Sequence, residues 1–158
     1  MKRHTVHSSQ TSETIVLARR LARSLKKGDI LCLKGELGSG KTTFVKGVAE
    51  GFKVLSEKVS SPTFVLLNIY KGRLPIYHFD LYRLEDEELV RGIGCEEFFY
   101  ADGVSLIEWS ERLKTLRPEE YLLVRLRHQG EDKRKIEFEA RGKRYEALLK
   151  NAFWAKKK

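Results

Sequence analysis

Between Gly35 and Thr42 the chain reads Gly-Glu-Leu-Gly-Ser-Gly-Lys-Thr, which fits the pattern GxxxxGK(S/T). Glycines at these spacings let successive backbone N–H groups turn inward around an anion, and a helix beginning at the lysine adds its unpaired N-terminal donors. Such a cradle requires a strand that delivers the chain to it and a helix that carries the chain away. Local sequence supplies both: Ile30 to Leu33 is a short apolar run, and Thr42 to Glu50 continues without a breaker. The phosphate-binding segment therefore comprises Glu36, Leu37, Gly38, Ser39, Gly40, Lys41, Thr42 and Thr43. Lys41 provides a point charge for the β and γ phosphates of a nucleotide and the Thr42 hydroxyl a hard oxygen for Mg²⁺. Thr43 either bonds a phosphate or begins the helix.

The remaining patterns agree with an α/β chain. From Ser12 to Lys27, Ile15, Ala18, Ala22 and Leu25 recur at helical spacing, with Gly28 as a stop. Phe64 to Tyr70 and Leu74 to Leu81 read as a hairpin across Lys71-Gly72-Arg73. Leu84 to Val90 and Glu96 to Tyr100 read as short helices and Val104 to Glu108 as a strand. Ser110 to Leu116 reads as a helix ending before Pro118. Tyr121 to Arg127 and Lys135 to Ala140 form a second strand pair around Gln129-Gly130-Glu131-Asp132, and Tyr145, Leu148, Leu149 and Phe153 trace a final helix. The expected architecture is a P-loop NTPase-like three-layer α/β domain with a mixed parallel/antiparallel sheet. It spans residues 1–158 as a single domain, with a basic tail at about 150–158.

A phosphate loop needs a carboxylate on its metal side, and Asp80, ending the Tyr77 to Asp80 strand, is the first candidate. With a two-residue period Ile76, His78 and Asp80 share one face, where a His and an Asp would be costly in dry packing, which favours a nucleotide-site Asp80 over a turn-initiating or salt-bridging one. His78 serves either to orient Asp80 or a water, or as a hydrogen-bonded structural histidine. Glu108 ends a second apolar segment, and acids after two strands of a parallel region can converge at one crevice. It is a candidate for the Mg²⁺ water shell or the attacking water, against a plain helix N-terminal acid. Thr63, after Ser60-Ser61-Pro62, either offers a hydroxyl where a nucleotide-sensing loop reaches Mg²⁺ or the γ phosphate, or belongs to a plain turn. Arg83 either neutralises phosphate or pairs with Glu85 or Glu88. Trp109, just beyond Glu108, is a hydrophobic cap or a partner-facing anchor.

Composition narrows the setting. Lys and Arg number 31 against 22 Asp and Glu, a net charge of +9 that permits an RNA or acidic-protein partner without identifying one. Seven basic residues and one acidic residue fall between Arg141 and Lys158, so any polyanion contact is expected to start there. The two cysteines form no CxxC unit, and no apolar run approaches the roughly 18 residues of a membrane span. A reduced, cytoplasmic protein without a membrane partner is expected.

Taken in order, Gly28-Asp29, the Gly35 to Thr43 loop, Ser61-Pro62-Thr63-Phe64, His78-Phe79-Asp80-Leu81-Tyr82-Arg83 and Ile107-Glu108-Trp109-Ser110-Glu111-Arg112 resemble the TsaE family, also called YjeE. That family comprises small P-loop ATPases of bacterial tRNA threonylcarbamoyladenosine formation. The resemblance runs from about residue 12 to about residue 115. It implies ATP and Mg²⁺ as cofactors, with Thr42, Asp80 and Glu108 serving metal and hydrolysis and Lys41 the transferred phosphoryl group. It also places Trp109 near the catalytic apparatus or the partner surface. The implied partners are the TsaD transferase and TsaB, whose repeated cycles of modification ATP hydrolysis supports. Two other classes stay open: a nucleotide-gated binding module with incidental hydrolysis, and a small-molecule kinase, for which the chain shows no evident acceptor pocket or arginine-bearing lid.

Overall fold

The apolar run after Asp29 becomes β2 (Ile30–Lys34), whose first four side chains are all buried, as befits a central strand covered on both faces. In this computed structural model, which describes residues 2–154, β2 lies between β5 (Val104–Glu108) and β6 (Tyr121–His128) and runs parallel to both. A fourth parallel strand, β4 (Pro75–Asp80), pairs with the far side of β5. Antiparallel strands extend the sheet at both ends: β3 (Leu67–Lys71) on β4, and β7 (Arg134–Arg141) then β1 (Arg3–Ser8) beyond β6. The resulting order is β1-β7-β6-β2-β5-β4-β3.

Helices cover both faces, so the mixed three-layer architecture is as expected. On one face α1 (Thr11–Ala22), α2 (Lys41–Gly51) and α5 (Lys143–Leu149) bury Leu21, Phe44, Val48 and Leu148 against Leu31, Leu33, Leu106 and Val124. On the other, α3 (Glu87–Ile93), α4 (Cys95–Phe99) and a 3₁₀ segment, Ser110–Leu116, bury Val90, Phe99 and Leu113 against Cys32, Phe79 and Ile107. The α1 and α2 helices touch almost backbone to backbone. A Cβ on Gly47 would lie 2.5 Å from the Ile15 carbonyl oxygen and 2.6 Å from Ala18 Cβ.

Several elements depart from the local reading. β1 was not expected, because Arg3–Ser8 has little apolar alternation; its pairing with β7 creates it. Residues Phe64 to Leu66 leave the hairpin for a turn in which Leu66 has φ 74°, so β3 begins at Leu67. Helix α3 starts at Glu87 because the Asp86 side chain caps it by accepting from the Leu89 N–H. The segment after β5 is 3₁₀ and is broken at Lys114 (φ 50°, ψ −116°). At the C-terminus Lys150–Trp154 continues α5 as a π-helical turn, with Ala152 buried and Phe153 stacked on His4 at 4.4 Å. Ala152 and Phe153 are thus part of the packed structure, whereas Lys150, Asn151 and Trp154 are exposed. The rest of the basic tail, 155–158, lies outside the described residues. Among the described residues no helix is long and apolar enough to cross a membrane.

Candidate functional site

The phosphate loop leaves the C-terminal end of β2 between its two parallel neighbours, the place where ligand crevices form in α/β sheets. Gly38 (φ 74°) and Gly40 (φ 105°) both adopt left-handed backbone conformations that a side chain would strain. Gly40 opens α2, so the loop curls directly into the positive end of that helix. Lys41 Nζ reaches back into the loop, donating to the carbonyl oxygens of Gly35 (2.5 Å) and Glu36 (2.9 Å). It also lies 4.5 Å from the centre of the Trp109 ring. Burial pushes the Lys41 ammonium below the usual lysine range, while Glu108, Glu111 and Asp80 act against that shift.

Asp80 and Glu108 are register partners at the ends of β4 and β5, so two carboxylates stand side by side on the α2 face of the sheet. Both are buried. Glu108 accepts the Thr42 hydroxyl at 3.0 Å (Oε1) and 3.2 Å (Oε2). His78 Nε2 donates to Glu108 Oε2 at 2.5 Å, and with the proton there Nδ1 accepts the Tyr70 hydroxyl at 3.0 Å. Asp80 is held differently: Oδ2 accepts Ser61 Oγ (2.6 Å) and Thr63 Oγ1 (2.8 Å), and Oδ1 accepts the Tyr82 N–H (2.9 Å). Thr42 thus meets Glu108 rather than Asp80, and His78 orients Glu108 rather than Asp80.

Lys41, Thr42, Thr63, Asp80, Glu108 and Trp109 converge on one cleft of about 360 Å³, which Gly38, Gly40 and Thr43 also line. Trp109 lines in addition a neighbouring cleft of about 650 Å³, shared with Glu36, Ser39, Glu111, Arg127 and His128. Its backbone is left-handed (φ 58°, ψ 42°), and its ring packs against Lys41 and, in a tilted arrangement, against Tyr82 (4.9 Å between centroids). It therefore lines the site while remaining partly exposed. Arg83 does not line this cleft: its guanidinium stacks on exposed Phe64 at 4.6 Å, and among the described residues it makes no ion pair with Glu85 or Glu88. Leu37, at the loop tip, is exposed.

The donor set fits a hard cation. A hydroxyl and a carboxylate oxygen are already within hydrogen-bond distance at the head of the loop, with a second carboxylate beside them. Among the described residues no cluster of three His, Cys, Asp or Glu side chains could hold a metal alone. A Mg²⁺ ion at Thr42 and Glu108 would complete its shell from phosphate and water, as that ion commonly does. Three residues of the cleft, Ser61, Tyr82 and Arg134, are not among the candidates read from the sequence. Ser61 shares Asp80 with Thr63 and was visible only as part of a Ser-Ser-Pro-Thr turn. Arg134 lines the cleft from the start of β7, and no local pattern marks it.

Comparison with known proteins adds to this geometry. The family model described as "Threonylcarbamoyl adenosine biosynthesis protein TsaE" matches residues 8–136. The chain is 42% identical over 149 residues to a Bacillus subtilis protein named tRNA threonylcarbamoyladenosine biosynthesis protein TsaE, covering 94% of this chain and 92% of that one. A Treponema pallidum protein of the same name is 43% identical over 116 residues, covering 73% and 85%. The crystal structure of Bacillus subtilis YdiB matches with a TM-score of 0.82 at 36% identity, covering 96% of this chain and 94% of that one.

Proposed function

Since this chain belongs to the TsaE family, we propose that it is a Mg²⁺-dependent ATPase that binds the TsaD–TsaB complex and supports repeated rounds of threonylcarbamoyladenosine formation in bacterial cytoplasmic tRNA. The observation that carries the reading is the Thr42–Glu108 hydrogen bond at the head of a phosphate loop, with Asp80 on the adjoining strand. Thr42 and Glu108 would hold Mg²⁺, which would supply charge neutralisation at the phosphates.

The chain's own groups divide the remaining work. Backbone N–H groups of the loop and the start of α2 bind the phosphate oxygens. Lys41 exchanges the carbonyls of Gly35 and Glu36 for phosphate, bringing its charge to the transferred group. Glu108 and Thr42 hold the metal side, and the Tyr70–His78 pair keeps the Glu108 carboxylate in place from behind. Asp80, whose Oδ1 accepts only the Tyr82 N–H, keeps a lone pair with which to orient the attacking water. Because Thr63 precedes exposed Phe64 and Val65, a change at the γ phosphate reaches an apolar surface suited to a protein partner. Contact with tRNA is assigned to the partner complex, with the basic C-terminus as a secondary contributor.

The test is reconstitution of tRNA modification from purified components, with ATP hydrolysis measured for this protein alone and with TsaD–TsaB. ATP-dependent gain after the first catalytic cycle, and its loss in Lys41→Ala, is the expected result. A Lys41→Ala protein that fails to bind ATP yet sustains full modification overturns the ATPase assignment.

A further inference from the structure

Arg134 stands at the first position of β7, and its guanidinium makes four hydrogen bonds, all to backbone carbonyl oxygens. Two go to the phosphate loop: Nε to Ser39 (3.0 Å) and Nη2 to Gly38 (3.2 Å). The other two leave Nη1 for Glu131 (3.0 Å) and Lys133 (2.9 Å), in the turn between β6 and β7. One planar fork thus ties that turn to the loop. Neutral carbonyls take these protons, so the positive charge remains uncancelled by them at the edge of the cleft that Arg134 lines.

The consequence follows from peptide planarity. In a trans peptide the C=O and the next N–H point opposite ways. Holding the Gly38 and Ser39 carbonyls toward Arg134 turns the Ser39 and Gly40 N–H groups to the other side. The Ser39 N–H is taken by the Glu36 carbonyl at 3.0 Å, which closes the loop, and the Gly40 N–H is left for an anion. Both planes adjoin glycines in left-handed conformations, where the backbone is otherwise free to rotate. A cation on each carbonyl also polarises the peptide and strengthens its N–H as a donor.

We propose that Arg134 is a positioning residue for phosphate binding: it locks two successive peptide planes of the loop, one closing the loop through the Ser39 N–H and the next aiming the Gly40 N–H at an anion, and couples the β6–β7 turn to that geometry. The inference rests on the nucleotide-binding reading above, but the lock itself does not require nucleotide to be present.

Two measurements on Arg134→Ala, Arg134→Lys and Arg134→Gln separate these layers. The first is amide hydrogen exchange without nucleotide. The Ser39 amide, bonded to the Glu36 carbonyl, exchanges faster in Arg134→Ala while β2 and β6 amides keep their wild-type protection. The second is Mg²⁺–ADP affinity together with ATPase kinetics. Loss of charged hydrogen bonds to the loop raises Kd and KM by roughly tenfold to a hundredfold. The kcat value stays near that of the wild type, because Thr42, Asp80 and Glu108 are untouched. Arg134→Lys, which keeps the charge but not the fork, recovers part of the affinity, and Arg134→Gln recovers less. Wild-type exchange and affinity in Arg134→Ala overturn the inference; if that variant does not fold, the same result in Arg134→Lys does so. Wild-type protein that binds no Mg²⁺–ADP instead overturns the nucleotide reading and removes the lock's role in phosphate binding, an outcome distinct from equal binding by wild type and variant.

Discussion

Glu108 carries more of the site than its position after a short apolar strand suggests, because three groups converge on one carboxylate: Thr42 from the loop, His78 from β4 and, through His78, Tyr70 from β3. Substituting Glu108→Gln keeps the shape and an acceptor oxygen while removing the charge. Turnover is expected to fall by roughly a hundredfold or more with the circular-dichroism spectrum unchanged, since a fixed charge aimed at a reacting centre has effects of that order. Retained turnover in steady-state assays would remove Glu108 from the proposed mechanism. The cysteines behave in the opposite way. Burial pushes the Cys32 thiol up to about 12 and the Cys95 thiol up to about 11, because both are removed from the water that would stabilise a thiolate. Neither should react with a thiol reagent at pH 8 in the native protein, and both should react once it is unfolded; fast native labelling would contradict the packing. Motif and strand alternation made Lys41, Thr42, Asp80 and Glu108 legible as candidates. They did not reveal which acid faces Thr42, which depends on β5 rather than β4 lying next to β2.

Among the elements, the α1–α2 pair shows how small residues set a helix contact. Gly47 faces the Ile15 carbonyl and Ala18, and its missing Cβ is what lets α2 lie against α1 and bring its N-terminus to the loop. Gly47→Ala is therefore expected to destabilise the protein by roughly 1–3 kcal/mol, the usual range for overpacking, despite the better helix propensity of alanine. Denaturant unfolding measures this, and an unchanged midpoint would show that the helices separate without cost. The Ala18 and Ala22 spacing indicated which face of α1 is buried, but not that a glycine of another helix meets it. Edge strand β1 marks a similar boundary: Arg-His-Thr-Val-His-Ser acquires its strand character from β7, and His4 gains a stacking partner in Phe153. Contacts between the two ends of the chain have no local signature.

At the scale of the whole molecule, a ligand bound only by the folded state raises its stability by mass action. Mg²⁺–ADP at a hundredfold excess over Kd contributes about 2.7 kcal/mol. For a chain of this length that corresponds to a rise in Tm of roughly 5–10 °C. Lys41→Ala should abolish the rise. A wild-type Tm indifferent to Mg²⁺–ADP in a thermal scan would count against nucleotide binding altogether. The sequence by itself determined the α/β class, the phosphate loop between a strand and a helix, and the TsaE resemblance, because each rests on residues adjacent in the chain or on short periodic spacing. Only the tertiary structure decided that Thr42 pairs with Glu108, that Ser61 and Thr63 hold Asp80, and that Arg134 grips the loop. Those contacts join residues separated by 66, 19, 17 and 95 positions. Strand order and loop closure bring such residues together, and neither is encoded in the spacing of any one segment.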